Sequence, residues 1–308
     1  MCSILLVDYN SIDKTLDYID ICIDKIKYHK GYNFIINDNS PIHSLSKLEK
    51  KLGQFVVKLS ESTGLQTYHF NYKGKDIIYC FANSNLGFAQ GNNNCMRICE
   101  EFFHSKYYLI SNNDISFKSN VNLNDLISIF QKNQRVAVVG PRVIGSDGKD
   151  QSPRKDISAF SSLVLTYWCA ATYWLFKKVI SGLDYDGTSK NCYWVVGCFM
   201  IVKADAMIKC GYFDEKTFLF AEEMILAERM KNQGYEIFFY DSVTVYHEES
   251  SLIDHSLSYL NKAQTMFNSK LYFYKKYKNI NHFLEWFAKL NFSVLKIFYK
   301  IGRRFIKD

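Results

Sequence analysis

The chain has 308 residues, 48% of them hydrophobic and 16% aromatic, with only 3 Pro and 15 Gly. That composition excludes a disulfide-stapled miniprotein, a disordered chain and a collagen-like fibre, because the apolar content suffices for a full core. The formal charge is +7, but residues 268–308 hold ten Lys and Arg against two acids, so the rest is close to neutral and no nucleic-acid groove spreads over the molecule.

Along the first 120 residues, short β-rich runs at 3–7, 33–36 and 77–81 alternate with polar helical stretches, the first near 12–27. Strands separated by helices need crossover connections, so the expected class is α/β with a mostly parallel sheet and ligand loops at the strand C-terminal ends. Residues 83–94 combine two glycines with several amides at a helix start, which suits close backbone approach to a ligand and equally a plain turn and N-cap. The run matches neither GxGxxG nor the Walker spacing, so a dinucleotide fold and a P-loop ATPase are not supported.

A strand at 107–110 runs into Asn112-Asn113-Asp114. A carboxylate at a strand end can hold Mg²⁺ or Mn²⁺ against a diphosphate, although Asn and Asp are also ordinary turn formers. After a strand at 136–139, Asp147-Gly148 signals a tight hairpin turn. Residues 159–176 carry no charge and sit at the lower edge of membrane-span length; Ser161, Ser162, Thr166 and Thr172 dilute them, which points to a buried helix or a membrane-surface element.

Glu222 and Glu223 open a helical run that Gly234 closes. The helix dipole accounts for acids in a first turn, and the same pair is a candidate general base. His247 follows the strand-like run 242–246 and is a candidate metal ligand or diphosphate contact. Near the C-terminus Phe283, Phe287, Leu290, Val294, Ile297, Ile301 and Phe305 step by three and four, away from Lys289, Lys296, Lys300, Arg303 and Lys307. That is a basic amphipathic helix, lying on an anionic leaflet or packed on the domain. Nine cysteines without a CxxC pair, and no leader-like opening, are read as reduced cytosolic thiols; Cys95 and Cys99 lack the second pair that a zinc site needs.

In order, Asp8-Tyr9-Asn10-Ser11, Asn37-Asp38-Asn39-Ser40, Asn85-Leu86-Gly87-Phe88-Ala89, Asn112-Asn113-Asp114, Gly197, Gly211-Tyr212-Phe213-Asp214-Glu215, Glu222-Glu223, Arg229 and His247 form a set. Over about residues 3–250 the set resembles the bacterial family 2 glycosyltransferases with a GT-A fold, especially the rhamnosyltransferase-like branch that builds O-antigen and capsule. The resemblance implies nucleotide contacts at Tyr9, Asn10, Asp38 and Asn39, nucleotide-sugar contacts at Asn85, Gly87 and Asn112, and metal ligation at Asp114. It also implies a base at Glu223, with Glu222 as the alternative, and a histidine at 247 that closes the diphosphate and metal site. Three positions depart from the family pattern: Asn37-Asp38 stands for Asp-Asn, Glu223 for Asp, and Ile225 for a further Asp.

The activity implied by the resemblance is that of an inverting glycosyltransferase with a divalent cofactor (Mn²⁺ or Mg²⁺), a nucleotide-sugar donor and a glycan acceptor on a polyprenyl carrier. Its GT-A domain would span 1–250, with a nucleotide-binding half (1–120) and an acceptor half (121–250). Residues 251–308 would be a basic helical segment holding the enzyme peripherally on the cytoplasmic face of the inner membrane. A sugar nucleotidyltransferase would want a glycine-rich basic loop after the first strand, which is absent, and a non-catalytic binding module is the reading that the altered acidic pair and Ile225 would favour.

Overall fold

The strands of the first half are apolar on both faces, and Cys2–Asp8 and Tyr32–Asp38 are buried almost throughout. Such strands need cover on both sides, which helices supply when the sheet is parallel. A computed structural model describes residues 1–167, 182–248 and 259–305. The chain runs β1 (Cys2–Asp8), α1 (Ile12–Lys25), β2 (Ile26–Lys27), β3 (Tyr32–Asp38), α2 (Leu45–Leu52), β4 (Phe55–Leu59), β5 (Gln66–Tyr72), β6 (Lys75–Phe81), α3 (Gly87–Phe102), β7 (Tyr107–Ser111), β8 (Ile115–Ser116), β9 (Val121–Asn122), α4 (Leu123–Lys132) and β10 (Val136–Gly145). A π-helical turn (Ser161–Leu165) precedes β11 (Lys190–Cys192), β12 (Phe199–Lys203), α5 (Ala204–Cys210), α6 (Glu222–Asn232), β13 (Glu236–His247), α7 (Tyr259–Tyr277) and α8 (His282–Phe305).

The sheet is built on the parallel set β6-β3-β1-β7, with β12 antiparallel to β7 and β10 and β13 continuing it, and with the antiparallel β5-β4 ribbon on the other flank. The chain moves outward from β1 to β3 and β6, then α3 carries it back to β7 on the far side of β1. The C-terminal ends of β1 and β7 therefore flank the switch point where open α/β sheets bind ligands. One core layer joins the sheet to α1, α2 and α4 through residues such as Leu16, Leu48 and Phe130; the other joins it to α3, α5 and α6 through Met96, Met207 and Met230.

Several elements differ from their sequence reading for local reasons. The first helix stops at Lys25 because Ile26, buried and extended, pairs with Val121 in the small β2-β9 sheet. The strand starting at Val136 runs through Pro141 to Gly145, and its register shifts between Pro141 and Arg142, where proline has no N–H to give the ladder. The Asp147-Gly148 turn forms, closed by Gly145 N–H to Lys149 O at 2.9 Å. Of residues 159–176, those up to 167 are described, and Leu163 and Val164 are buried there; the others lie outside the described residues. No helix among the described residues is long and apolar enough to cross a membrane. Eight cysteines among the described residues are free thiols.

The C-terminal helices form a third cluster with the π-helical turn and the start of α6, around Leu163, Met224, Ile225, Phe267, Phe273 and Phe292. Phe267 and Phe292 stack at 4.3 Å between centroids. Ile225 is thus an apolar anchor in this cluster. Of the stripe read from its spacing, Phe287 packs against this cluster beside the buried Ala288 and Phe292, while Phe283, Leu290 and Ile297 are exposed together with Trp286 and Phe298. The helix carries two apolar lines, so packing on the domain leaves one of them uncovered.

Candidate active site

Asp114 follows β7, and β8 immediately after it pairs antiparallel with the end of β13, opposing Ile115 to His247. The Glu248 N–H donates to Asp114 O at 2.9 Å, locking the two strand ends together. The result sets His247 Nε2 3.4 Å from Asp114 Oδ1. On the other side of the ring, His247 Nδ1 lies 3.0 Å from the side-chain oxygen of Gln151, which only accepts, so the neutral ring carries its proton there. The Nε2 lone pair then faces a carboxylate oxygen, an arrangement that a cation between the two would stabilise. Among the described residues no group of three His, Cys, Asp or Glu forms a closed metal cage. One carboxylate and one imidazole fit a divalent ion that takes its remaining ligands from phosphate oxygens and water.

Glu222 and Glu223 arrive by a different route. Phe220 and Ala221 both have positive φ (72° and 68°), a costly pair for residues with side chains, and this elbow swings the first turn of α6 toward the strand ends. Gly197 N–H donates to Glu223 Oε1 at 2.9 Å, and a Cβ at Gly197 would sit 2.8 Å from that oxygen, so a side chain there would displace the carboxylate. Burial pushes the Glu223 carboxyl up, against the lowering effect of the Gly197 N–H and the Arg154 charge. Burial, and then the neighbouring Glu223, push Glu222 well above the usual carboxylate range; its Oε1 has no hydrogen-bond partner among the described residues.

Asn112, Asp114, Glu222, Glu223 and His247 line one cavity of about 540 Å³. The sequence-predicted nucleotide residues do not line it. Asp38 and Asn39 are fully buried at the end of β3: Asp38 accepts from Tyr79 Oη (2.7 Å) and Ser40 N–H (2.9 Å), and Asn39 donates to Gly87 O at 3.0 Å. Asn10 N–H donates to Ser40 Oγ, which ties the turn after β1 to the turn after β3, and Tyr9 beside it is half-buried. Asn85 is exposed and accepts from Gly87 N–H. Gly87, at φ +75°, lets α3 meet the loop before α6; a Cβ there would fall 2.2 Å from Phe218 O.

Sequence reading missed much of the rest of the lining. Gln151 and Arg154 from the loop after β10, Trp194, and Lys262, Met266 and Lys270 from α7 all line the cavity. Near Gln151 and Arg154 a local signal is Pro153, one of 3 prolines in the chain, marking a break between strand and loop; Trp194 and the α7 residues have none beside them. Arg229, by contrast, donates to the carbonyls of Gly211 and Tyr212 and pairs with Asp214, a structural clamp away from the cavity.

By sequence, no protein-family model and no curated protein matches the chain. By structure it is similar to GalNAc-T7, solved with UDP, GalNAc and Mn²⁺ (TM-score 0.54, 12% identity, 80% of this chain and 44% of that one). It is similar also to the mannosyltransferase PcManGT of Pyrobaculum calidifontis, solved with GDP-Man and Mn²⁺ (0.54, 11%, covering 96% and 73%). A third is S. aureus TarS residues 1–349 with UDP-GlcNAc (0.50, 12%, covering 81% and 58%). The chain thus spans about half the length of two of these three. Its mixed α/β architecture with a mostly parallel central sheet is the GT-A fold of glycosyltransferases.

Proposed function

We propose that the protein is an inverting glycosyltransferase that moves a sugar from a nucleoside-diphosphate donor to a hydroxyl of a cell-surface glycan or lipid-linked glycan. The observation that carries this reading is the convergence of Asp114, His247 and Glu223 on one cavity at the switch point of a GT-A sheet. The UDP, UDP-GlcNAc and GDP-Man bound to the structural neighbours support the donor class.

In this reading Asp114 and His247 hold a divalent ion, Mn²⁺ or Mg²⁺, which when bound supplies positive charge against the departing diphosphate. Asn112 orients the donor sugar, and Tyr9, Asn10 and Asn85 receive the nucleotide on turns framed by Asp38, Asn39 and Gly87. Glu223 takes the proton of the acceptor hydroxyl. The Gly197 N–H and the Arg154 charge favour its ionised form, as a base requires. Attack from the face opposite the leaving group inverts the anomeric carbon without a covalent intermediate.

The uncovered aromatic line of α8 and the basic C-terminal segment support a peripheral position on an anionic, cytoplasmic membrane face, where a polyprenyl-linked acceptor is within reach. The test is sugar transfer or donor hydrolysis from UDP, dTDP and GDP sugars with Mn²⁺. Asp114→Ala and Glu223→Gln should each lower turnover by about a hundredfold or more, and turnover unchanged in both variants sinks the reading.

A further inference from the structure

The flank of the sheet away from β7 and β13 ends in β4, and no further strand pairs with it among the described residues. Its register with β5 runs unbroken from Phe55 opposite Phe70 to Leu59 opposite Gln66, with no bulge or proline to blunt the edge. The hydrogen-bonding sense follows from the adjoining turn, where Ser60 N–H donates to Leu65 O at 2.9 Å. Bonded and non-bonded pairs alternate along an antiparallel ladder, so Val56 and Lys58 turn their main chain to β5, while Phe55, Val57 and Leu59 point theirs outward. The side chains on this edge are apolar too: Val56, Val57 and Leu59 are 61%, 49% and 63% exposed. A bare edge of that kind is a template for another strand.

We propose that β4 pairs antiparallel with β4 of a second copy of this chain, forming a twofold dimer centred on Val57. In that register Val57 faces its own counterpart, Phe55 faces Leu59 and Val56 faces Lys58, so every outward main-chain group is used, in about six hydrogen bonds. Phe55, Val57 and Leu59 share one face of the strand and join into a single apolar row across both copies. A shift of two residues one way sets Lys58 against Lys58, and the other way leaves Leu59 beyond the partner strand. Charge selects the same occupant over an unrelated strand. Lys50, near the end of α2, and Glu61, just past β4, are both exposed, and neither is in an ion pair among the described residues. The twofold brings Glu61 of each copy opposite Gly53 of the other, within one turn of Lys50. Five residues a side fall short of the roughly 20–30 of a standard interface, so the dissociation constant should be about 10–100 µM.

The test is sedimentation equilibrium of the full chain between about 1 and 500 µM, where association should saturate at a dimer. Val57→Lys sets like charges on the twofold axis, and Val57→Pro removes an N–H that β5 does not use. Each should weaken the dimer by about tenfold or more. Glu61→Lys should weaken it about threefold or more, and Lys50→Glu combined with Glu61→Lys should restore it to within about twofold of wild type. All three side chains are exposed, so the melting temperature at about 1 µM, where the wild type is monomeric, should be unchanged. A lowered melting temperature in a Val57 variant marks a folding defect there, and the loss in Glu61→Lys with its recovery in the charge swap then decides. The proposal is overturned by a monomer across the whole range, by association that grows past the dimer, or by a dimer that neither Val57→Lys nor Glu61→Lys weakens. A dimer lost in Phe283→Ser with Trp286→Ser but kept in Val57→Lys also overturns it, and assigns the contact to α8.

Discussion

Glu222 and Glu223 are adjacent in sequence yet differ in what surrounds their oxygens. Glu223 receives a backbone N–H and feels the Arg154 charge, whereas Glu222 Oε1 is buried without a donor among the described residues. Replacing Glu223 by Gln should cost about 10²- to 10⁴-fold in kcat with nucleotide affinity preserved, the range for losing a general base. Because burial raises the Glu223 carboxyl, the acid limb of kcat/KM should fall at a higher pH than an ordinary carboxylate gives; a limb at the usual value assigns the base elsewhere. For Glu222 the stability sign follows from the same shift. A group whose folded pKa lies above its unfolded one loses stability as pH rises from the ordinary carboxylate value through the raised one. Glu222→Gln should therefore be more stable than wild type by roughly 1–2 kcal/mol at pH 8 and no different at pH 4, as read from denaturant midpoints.

Each element that presents these carboxylates depends on close backbone approach or on charge pairing across long stretches of chain. At Gly87 a side chain would need both a left-handed backbone and room that Phe218 O already fills, so Gly87→Ala should destabilise by about 2–4 kcal/mol in thermal or denaturant unfolding. Asp214 holds α7 in place: its carboxylate accepts from Tyr272, Lys276 and Tyr277 and pairs with Arg229. Burial alone would raise this carboxyl, but the hydrogen bonds from Tyr277, Lys276 and Tyr272 hold it well below the usual range. Its contribution is thus present above the ordinary carboxylate value and lost as pH falls through the depressed one. Asp214→Asn leaves Lys276 and Arg229 without their anion and should cost roughly 3 kcal/mol at pH 7, with the deficit against wild type shrinking toward low pH. The strands, the switch point and the order of the polar turns were legible because each is written in a short local run. The α7 wall was not, since Asp214 and its tyrosine partners lie 58 and 63 residues apart, and no local period shows that Lys270 lines the cavity. Which apolar line of α8 packs on the domain was illegible for a related reason: a helix with two apolar lines has a spacing that fits either, and only the packing of Phe292 on Phe267 selects the buried one.

At the scale of the whole molecule, the membrane-facing reading sets apolar insertion against charge. Phe283 and Trp286 are 71% and 58% exposed on the outer line of α8, close enough for their rings to contact at 6.1 Å, and Leu290, Ile297 and Phe298 continue the line. Full insertion of one such aromatic is worth about 2–3 kcal/mol by area, against roughly 1 kcal/mol for each net cation near an anionic leaflet. Two of the nearby cations are partly neutralised already, since Lys275 and Lys289 share Glu285. Apolar insertion should therefore dominate. In co-sedimentation with vesicles containing about a third anionic lipid, Phe283→Ser with Trp286→Ser should lower the partition coefficient by more than about a hundredfold, the equivalent of at least ~2.7 kcal/mol. Raising salt from 0.1 to 0.5 M should lower it by less than about tenfold. Both side chains are exposed, so the variant should keep its melting temperature and its turnover on a soluble acceptor. Binding that salt removes and the double substitution leaves intact would place the interaction in the lysines and arginines of residues 300–307 instead, and α8 would then face water along its outer line.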